Sequence, residues 1–228
     1  MTVYAFVFAR GGSKGVPRKN VKILGDRPLL AYSIEMARDM GEIDKTFVST
    51  DDDEIAQIAR EWGAEVIRRP EELAQDDSPE WLAWQHAVSH VEKKYGKFNV
   101  FVSLSATAPL RSKDDVRACL SALSDEDEVD IVVTVTEAGN NPFFNMVSID
   151  ANGHAGLFND SRQVYTRRQD VPKAYNMTTV AYVARTEFIM KAKRIFDGVV
   201  KAIDVPQERA IDIDTPVDFE IAKCLMKK

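Results

Sequence analysis

Along this chain the spacing of apolar residues switches between a period near two and a period near 3.6, in a repeating order that runs from the first residues past the midpoint. A sheet flanked by helices satisfies such an order, because each strand buries its faces against the helices that follow and precede it. Strands are predicted at 3–9, 46–49, 64–67, 100–104 and 131–135, with helices near 29–40, 53–62, 79–94 and 113–123 between them. Helical crossovers favour parallel pairing, so the fold class is α/β with a mainly parallel, Rossmann-like sheet. From 136 to about 185 the pattern changes to short strands, Asn-Pro and Asn-Gly turns and scattered aromatics. A small antiparallel lobe inserted at about 137–185 in a single domain of 1–228 is therefore expected, with a final helix from Thr215.

Composition narrows the function classes. A hydrophobic content of 45% over 228 residues can fill one core. No apolar run approaches the roughly 18 residues of a membrane span, and the first residues lack the order of a secretory signal, so a cytoplasmic protein with no membrane partner is expected. Cys119 and Cys224 have no metal-type spacing and are expected to pack. His86, His90 and His154 form no triad or zinc set; His86 and His90 are four apart on a helix but lack the intervening glutamate of a zinc-protease helix, and surface positions are expected. The net charge of −6 argues against a nucleic-acid partner, because the basic residues gather in one short stretch rather than on a broad face.

That stretch is Arg10-Gly11-Gly12-Ser13-Lys14-Gly15-Val16-Pro17-Arg18-Lys19-Asn20, directly after the first strand. Three glycines in five residues let backbone N–H groups turn toward an anion, and Arg10, Lys14, Arg18 and Lys19 can neutralise a polyphosphate. The spacing is neither a Walker A loop nor Gly-x-Gly-x-x-Gly, so neither a P-loop NTPase nor a dinucleotide site is signalled. A basic surface turn with no ligand would have the same composition.

In open parallel sheets, ligands sit beyond the carboxyl ends of the strands, where further motifs cluster. Ser49-Thr50-Asp51-Asp52-Asp53-Glu54 reads as a helix start with acids in its first turn, and also as an acidic cluster that could meet a cation, capping being the expected role. Near the end stands Ile211-Asp212-Ile213-Asp214-Thr215-Pro216. On extended backbone, residues two apart point the same way, so Asp212 and Asp214 can share one cation, Mg²⁺ or Mn²⁺, together with phosphate oxygens. A helix N-cap at Asp214 or Thr215, with Pro216 in the first turn, fits the same residues. Trp81 and Trp84 are expected to pack against the sheet.

The run Arg-Gly-Gly-Ser-Lys-Gly-x-Pro-x-Lys-Asn at 10–20 and the segment Ile-Asp-Ile-Asp-Thr-Pro-x-Asp-Phe at 211–219 resemble the signatures of the acylneuraminate cytidylyltransferases, the enzymes that activate sialic acids as CMP-sugars. The resemblance spans nearly the whole chain. It implies a nucleotidyltransferase sheet, with Arg10, Lys14, Lys19 and Asp212 in catalysis and Asp212 and Asp214 on the metal. Arg10, Gly11, Gly12, Ser13, Lys14, Asn20, Arg69 and Ala74 would contact the nucleotide, the last two through the family-like segment at 69–76. Leu104–Arg111 resembles Leu-Gln-Pro-Thr-Ser-Pro-Leu-Arg, with Ser105 in place of glutamine and Ala106 in place of proline. A serine hydroxyl is too short to make the glutamine's bridge, which leaves the sugar open. Ser105, Thr107, Arg111, Phe143, Phe144, Arg168, Gln169, Lys173 and Tyr175 are the implied sugar contacts. Arg111 could equally pair Asp114 and Asp115, Arg168 and Lys173 could belong to a solvated loop, and the lobe aromatics could form a small core or a subunit contact.

The implied reaction is attack by the anomeric hydroxyl of an acidic nine-carbon sugar on the α-phosphate of CTP. Alternatives keep the chemistry with GTP or with a 3-deoxy-octulosonic acid, and a non-catalytic nucleotide-sugar binder belongs to a different class. Family members are commonly dimers, so a homodimer through the inserted lobe is expected.

Overall fold

The computed structural model describes residues 1–12, 15–159 and 165–227. Their elements run β1 (Val3–Phe8), β2 (Ile23–Leu24), β3 (Arg27–Pro28), α1 (Leu29–Arg38), β4 (Lys45–Thr50), α2 (Asp53–Glu61), β5 (Glu65–Arg68), α3 (Glu80–Tyr95), β6 (Val100–Ser103), α4 (Lys113–Ser124), β7 (Ile131–Glu137), β8 (Val147–Ile149), β9 (Ala155–Leu157), β10 (Tyr175–Arg185), α5 (Thr186–Lys191), β11 (Val200–Asp204) and α6 (Pro216–Leu225).

The first strand sets the layers. Val3, Ala5 and Val7 point to one face, where they meet Leu30 and Ile34 of α1, Ile55 of α2 and Val116 of α4. Tyr4 and Phe6 point to the other and pack with Trp81, Trp84 and Val88 of α3 and with Phe188 of α5. Phe6 lies 5.3 Å from Phe47 and 4.8 Å from Phe101, ring centre to ring centre, so neighbouring strands are stapled by an aromatic row as well as by the ladder. Trp81 and Trp84 are core residues, as their position predicts.

The sheet order is β11-β7-β10-β6-β1-β4-β5. β6, β1, β4 and β5 pair in parallel, as do β7 and β11, while β10 runs antiparallel between β6 and β7. The carboxyl ends of β1, β4, β5, β6 and β7 therefore share one edge with the start of β10.

Three expectations need correction. Residues 175–185 are not lobe but an eleven-residue strand in the middle of the sheet, which leaves 138–174 outside it. β11 and α5 were not expected: β11 is a half-exposed edge strand without alternation, and α5 is a single six-residue segment. Cys224 is exposed, whereas Cys119 packs as expected, and His86 is half-buried with its Nδ1 enclosed.

Candidate active site

A third apolar cluster joins Leu24 and Leu29 at the β2–β3 hairpin to Ile213, Phe219 and Ala222 at the start of α6. Ile213 is fully buried there and its N–H donates to Thr107 O at 2.9 Å, so the flanking Asp212 and Asp214 side chains are turned out of the core. Alternation over three residues thus presents both carboxylates at the carboxyl edge of the sheet. Thr215 caps α6 in a capping box with Asp218, and Pro216 opens the helix. The cap and the outward acid pair coexist, as the sequence allowed.

The cationic loop closes onto this pair. Lys19 Nζ sits 2.7 Å from Asp214 Oδ1, with the lysine side chain 13% exposed. A Cβ on Gly15 would come within 2.1 Å of the Asp214 carbonyl oxygen, so this glycine is required by close backbone approach. On its other flank the loop is tied to the start of α2: Gly11 N–H donates to Asp51 Oδ1 at 3.1 Å, and Arg18, in the left-handed region at φ 55°, pairs with Asp52 and Glu54. Arg18 holds the Asp52 carboxyl below the usual range, and Asp52 also caps α2 by accepting from Ile55 N at 2.9 Å. The capping expected for this acidic run is therefore present. Asn20 is buried, and its Nδ2 donates to Arg10 O at 3.1 Å, which fixes the two ends of the loop against each other. Ser13 and Lys14 lie outside the described residues.

Arg10 reaches across to the 69–80 segment, where its Nη1 is 2.6 Å from Asp76 Oδ1 and 3.4 Å from Ala74 O. Arg69 lies over the Phe8 ring, 5.5 Å from its centre, and is drawn down by Ser49 Oγ and Ser49 O at 3.2 and 2.8 Å. Burial lowers its basicity. A cleft of about 280 Å³ opens between Arg10, Arg69, Ser78 and Glu80.

At the end of β6, Ser105 Oγ is 2.7 Å from Thr107 Oγ1, which in turn donates to Asp212 Oδ1. Both residues orient Asp212. Arg111 sits beneath them, 7% exposed, with Nη1 donating to Ser33 Oγ at 2.8 Å and Nη2 to Ser105 O. Its burial pushes the guanidinium down to about 9 and encloses it away from any sugar, so Arg111 holds the 104–107 turn from behind. It pairs neither acid offered as an alternative: Asp115 takes Arg209 and Asp114 takes Arg117.

The lobe residues form a separate cleft of about 420 Å³, with Arg168, Gln169 and Lys173 facing Glu137 and Asn141. Asn141 folds it together by donating to Pro172 O and accepting from Phe143 N. Arg168 is bonded to Gly139 O, Lys173 lies 3.3 Å from Glu137, and Phe143 packs edge-on to Tyr165. Phe144 is half-buried and Tyr175 is exposed at the start of β10. Sequence reasoning missed Glu80 and Tyr182, because one reads as a first-turn acid and the other as a strand aromatic. Burial, with the charges of Glu80 and Asp212 nearby, pushes the Tyr182 phenol up to about 12.

The arrangement is a cationic glycine loop, an outward acid pair and a cleft side by side at one sheet edge. Asp212 and Asp214 each keep a second carboxylate oxygen that makes no hydrogen bond among the described residues, which suits a hard divalent cation that also takes phosphate oxygens. The chain is 30% identical over 224 residues to post-translational flagellin modification protein B of Campylobacter coli, covering 97% of this chain and 94% of that one. It is 31% identical over 222 residues to CMP-N,N'-diacetyllegionaminic acid synthase of Campylobacter jejuni, covering 96% and 93%. A solved CMP:2-keto-3-deoxy-manno-octonic acid synthetase complexed with CTP superposes over 100% of this chain and 99% of its own at a TM-score of 0.73, with 17% identity, and so shares the fold. The cytidylyltransferase family pattern matches residues 4–217, and the chain therefore belongs to the cytidylyltransferase family of nucleotidyl-transferring enzymes.

Proposed function

We propose that this enzyme activates an acidic nine-carbon sugar of the sialic, legionaminic or pseudaminic type, by attack of its anomeric hydroxyl on the α-phosphate of CTP to give a CMP-sugar and pyrophosphate. The observation that carries this reading is the contact of Lys19 with Asp214, which brings the phosphate loop and the acid pair to one point despite 195 residues of separation. The name of the legionaminic acid synthase supports the sugar class.

In this reading the nucleotide enters with its base in the cleft beside Arg69 and its phosphates along residues 10–20. Arg10 and Lys19, together with the loop amides, neutralise charge that builds on the phosphates during in-line displacement. Ser105 and Thr107 hold Asp212 in place, and Arg111 holds their turn. Asp212 and Asp214 would bind Mg²⁺ or Mn²⁺, which when bound polarises the attacked phosphate and offsets the charge of the leaving group. Arg168 and Lys173 supply planar and point charges suited to the C1 carboxylate of the sugar. The reaction belongs in the cytoplasm, where CTP is available.

A homodimer forms part of the same proposal. β8 and β9 make a two-stranded hairpin whose residues are all exposed, including Val147, Ile149 and Leu157, with Phe158 just beyond. An isolated hairpin is marginal in water, so a second copy covering it would account for its apolar face.

The experiment is pyrophosphate release with Mg²⁺, crossing CTP and GTP against sialic, legionaminic, pseudaminic and 3-deoxy-octulosonic acids. Release with CTP and a nine-carbon acid is the expected result. A preference for GTP would replace the base, and nucleotide binding with no release from any acid would favour a binding protein.

A further inference from the structure

Among the described cations of the loop at 10–20, Arg10 and Lys19 each pair with one carboxylate, whereas Arg18 meets two, both from the start of α2. Its Nη1 lies 2.5 Å from Asp52 Oδ2 and its Nη2 3.1 Å from Asp52 Oδ1, a two-point fork, and Nη2 also reaches Glu54. The Glu54 side chain is 60% exposed and adds little; the Asp52 side chain is 19% exposed, and the fork is the stronger tie. One cation between two acids leaves this flank with no positive charge to offer a phosphate, and turning Arg18 away would strand the Asp52 carboxylate. Asp52 is itself fixed. Its Oδ1 accepts from Ile55 N–H at 2.9 Å, and its own N–H donates to Thr50 Oγ1 at 3.1 Å. A Cβ on Gly11 would come within 2.7 Å of Asp52 Oδ2, the same oxygen that takes Arg18 Nη1. One carboxylate thus lies against the outgoing arm of the loop at Gly11 and holds the returning arm at Arg18.

We propose that Arg18 is a positioning residue and not a phosphate ligand: clamped by Asp52, it fixes the backbone from which Lys19 reaches the acid pair and the phosphates. This rests on the nucleotidyltransferase reading above. The two side chains leave consecutive residues for opposite flanks, Arg18 for the start of α2 and Lys19 for Asp214 ahead of α6. The backbone that divides them is left-handed at Arg18, with φ 55° and ψ 30°, a conformation uncommon for a residue with a Cβ. It also opens the single turn Lys19–Val21, whose first N–H donates to Val16 O at 3.1 Å. Such a conformation persists where its surroundings over-determine it, and the fork on Asp52 supplies that constraint from the side chain. Of the cations that the sequence offers to a polyphosphate, Arg18 therefore shapes the loop, and Arg10 and Lys19 remain to meet the charge.

The test compares R18A, D52N and the double variant with the unaltered enzyme, through CTP affinity by calorimetry with Mg²⁺, kcat by pyrophosphate release, and thermal melting. Asparagine caps a helix as well as aspartate does, so D52N removes the charge and keeps the start of α2. A strut fails whichever end is removed. R18A and D52N are each expected to weaken CTP about 3- to 10-fold in Kd and, by displacing Lys19, to lower kcat about 10- to 100-fold. The double variant should be no worse than either single one, because both remove the same tie. A merely structural role would lower the melting temperature and leave the kcat of the folded enzyme unchanged. A phosphate ligand would give opposite signs: R18A would weaken CTP, and D52N, by releasing the cation, would tighten it. That result overturns the proposal, as do unchanged CTP affinity and kcat in R18A, or losses that add in the double variant. CTP binding by the unaltered enzyme with no turnover on any acid would sink the transferase reading, while the sign of the D52N effect on CTP affinity would still decide the role of Arg18. Absence of CTP binding would sink both.

Discussion

The Lys19–Asp214 contact couples the two motifs that the sequence marked separately, and it sets the first expectation. Removing a preorganised charge contact of this kind costs about 10²–10³ in rate. Lys19→Ala and Asp212→Ala should each lose turnover on that scale in pyrophosphate release while melting close to the unaltered enzyme, since neither side chain fills the core; near-normal turnover in either would remove its assigned role. The glycines separate further. An added Cβ at Gly12 meets nothing within 4 Å, whereas one at Gly15 presses on the Asp214 carbonyl oxygen. Gly12→Ala should therefore leave thermal stability unchanged, and Gly15→Ala should raise the Mg²⁺ concentration needed for half-maximal rate; equal Mg²⁺ dependence in the two variants would show that Gly15 does not position the acid pair. These residue types were visible in the sequence because glycine, lysine and paired aspartate carry their chemistry in their identity. The role of Arg111 was not, since a buried arginine bonded to a serine hydroxyl and a carbonyl looks the same on paper as one that binds an acidic ligand.

Among the elements, α4 shows how one residue can hold a helix and a neighbouring segment at once. Asp115 is 5% exposed, completes the capping box with Ser112, and takes both Arg209 Nε and Nη2 at about 3 Å from the segment that leads to the acid pair. Burial pushes its carboxyl up, but the hydrogen bonds from Arg209 and Ser112 outweigh it and hold it below the usual range. A lowered carboxylate contributes stability that is fully present above the unfolded-state value and is lost as pH falls through the folded-state one. Asp115→Asn should thus cost about 1.5–3 kcal/mol near neutrality by losing a charged hydrogen-bond acceptor, and the gap from the unaltered enzyme should close in acid; chemical denaturation at two pH values measures it. A gap of the same size at both would mean that the charge plays no part. The strands β1, β4, β5, β6 and β7 and helices α1 to α4 were legible because their apolar periods are clean. β10 was not: its first three residues are exposed, and the register slips between Thr178 and Tyr182, where Thr134 Oγ1 bonds to Thr178 and Ala181. A bulge breaks the alternation by which a strand is recognised.

At the scale of the molecule, the apolar surface is uneven. The sheet buries both faces, but the 138–174 excursion ends in a hairpin whose Ile149 and Phe158 are 70% and 65% exposed. Such surface costs free energy in water unless something covers it, at roughly 25 cal/mol for each Å² of apolar area. In sequence this region showed short strands, turns and scattered aromatics, because strands of three residues are too short for an apolar period to declare itself. The cleft proposed for the sugar is built on the same excursion, from Arg168, Gln169 and Lys173. A second copy that clamps the hairpin would therefore also fix the walls of that cleft. Ile149→Glu together with Phe158→Glu places like charges where the copies would meet, so light scattering should show a dimer converted to a monomer with its thermal transition nearly intact. The monomer should keep CTP affinity, which depends on the sheet edge, and lose sugar affinity, which depends on the excursion. If the doubly charged variant remains a dimer, the hairpin is not the interface; if it becomes a monomer with unchanged sugar KM, the cleft stands without its partner.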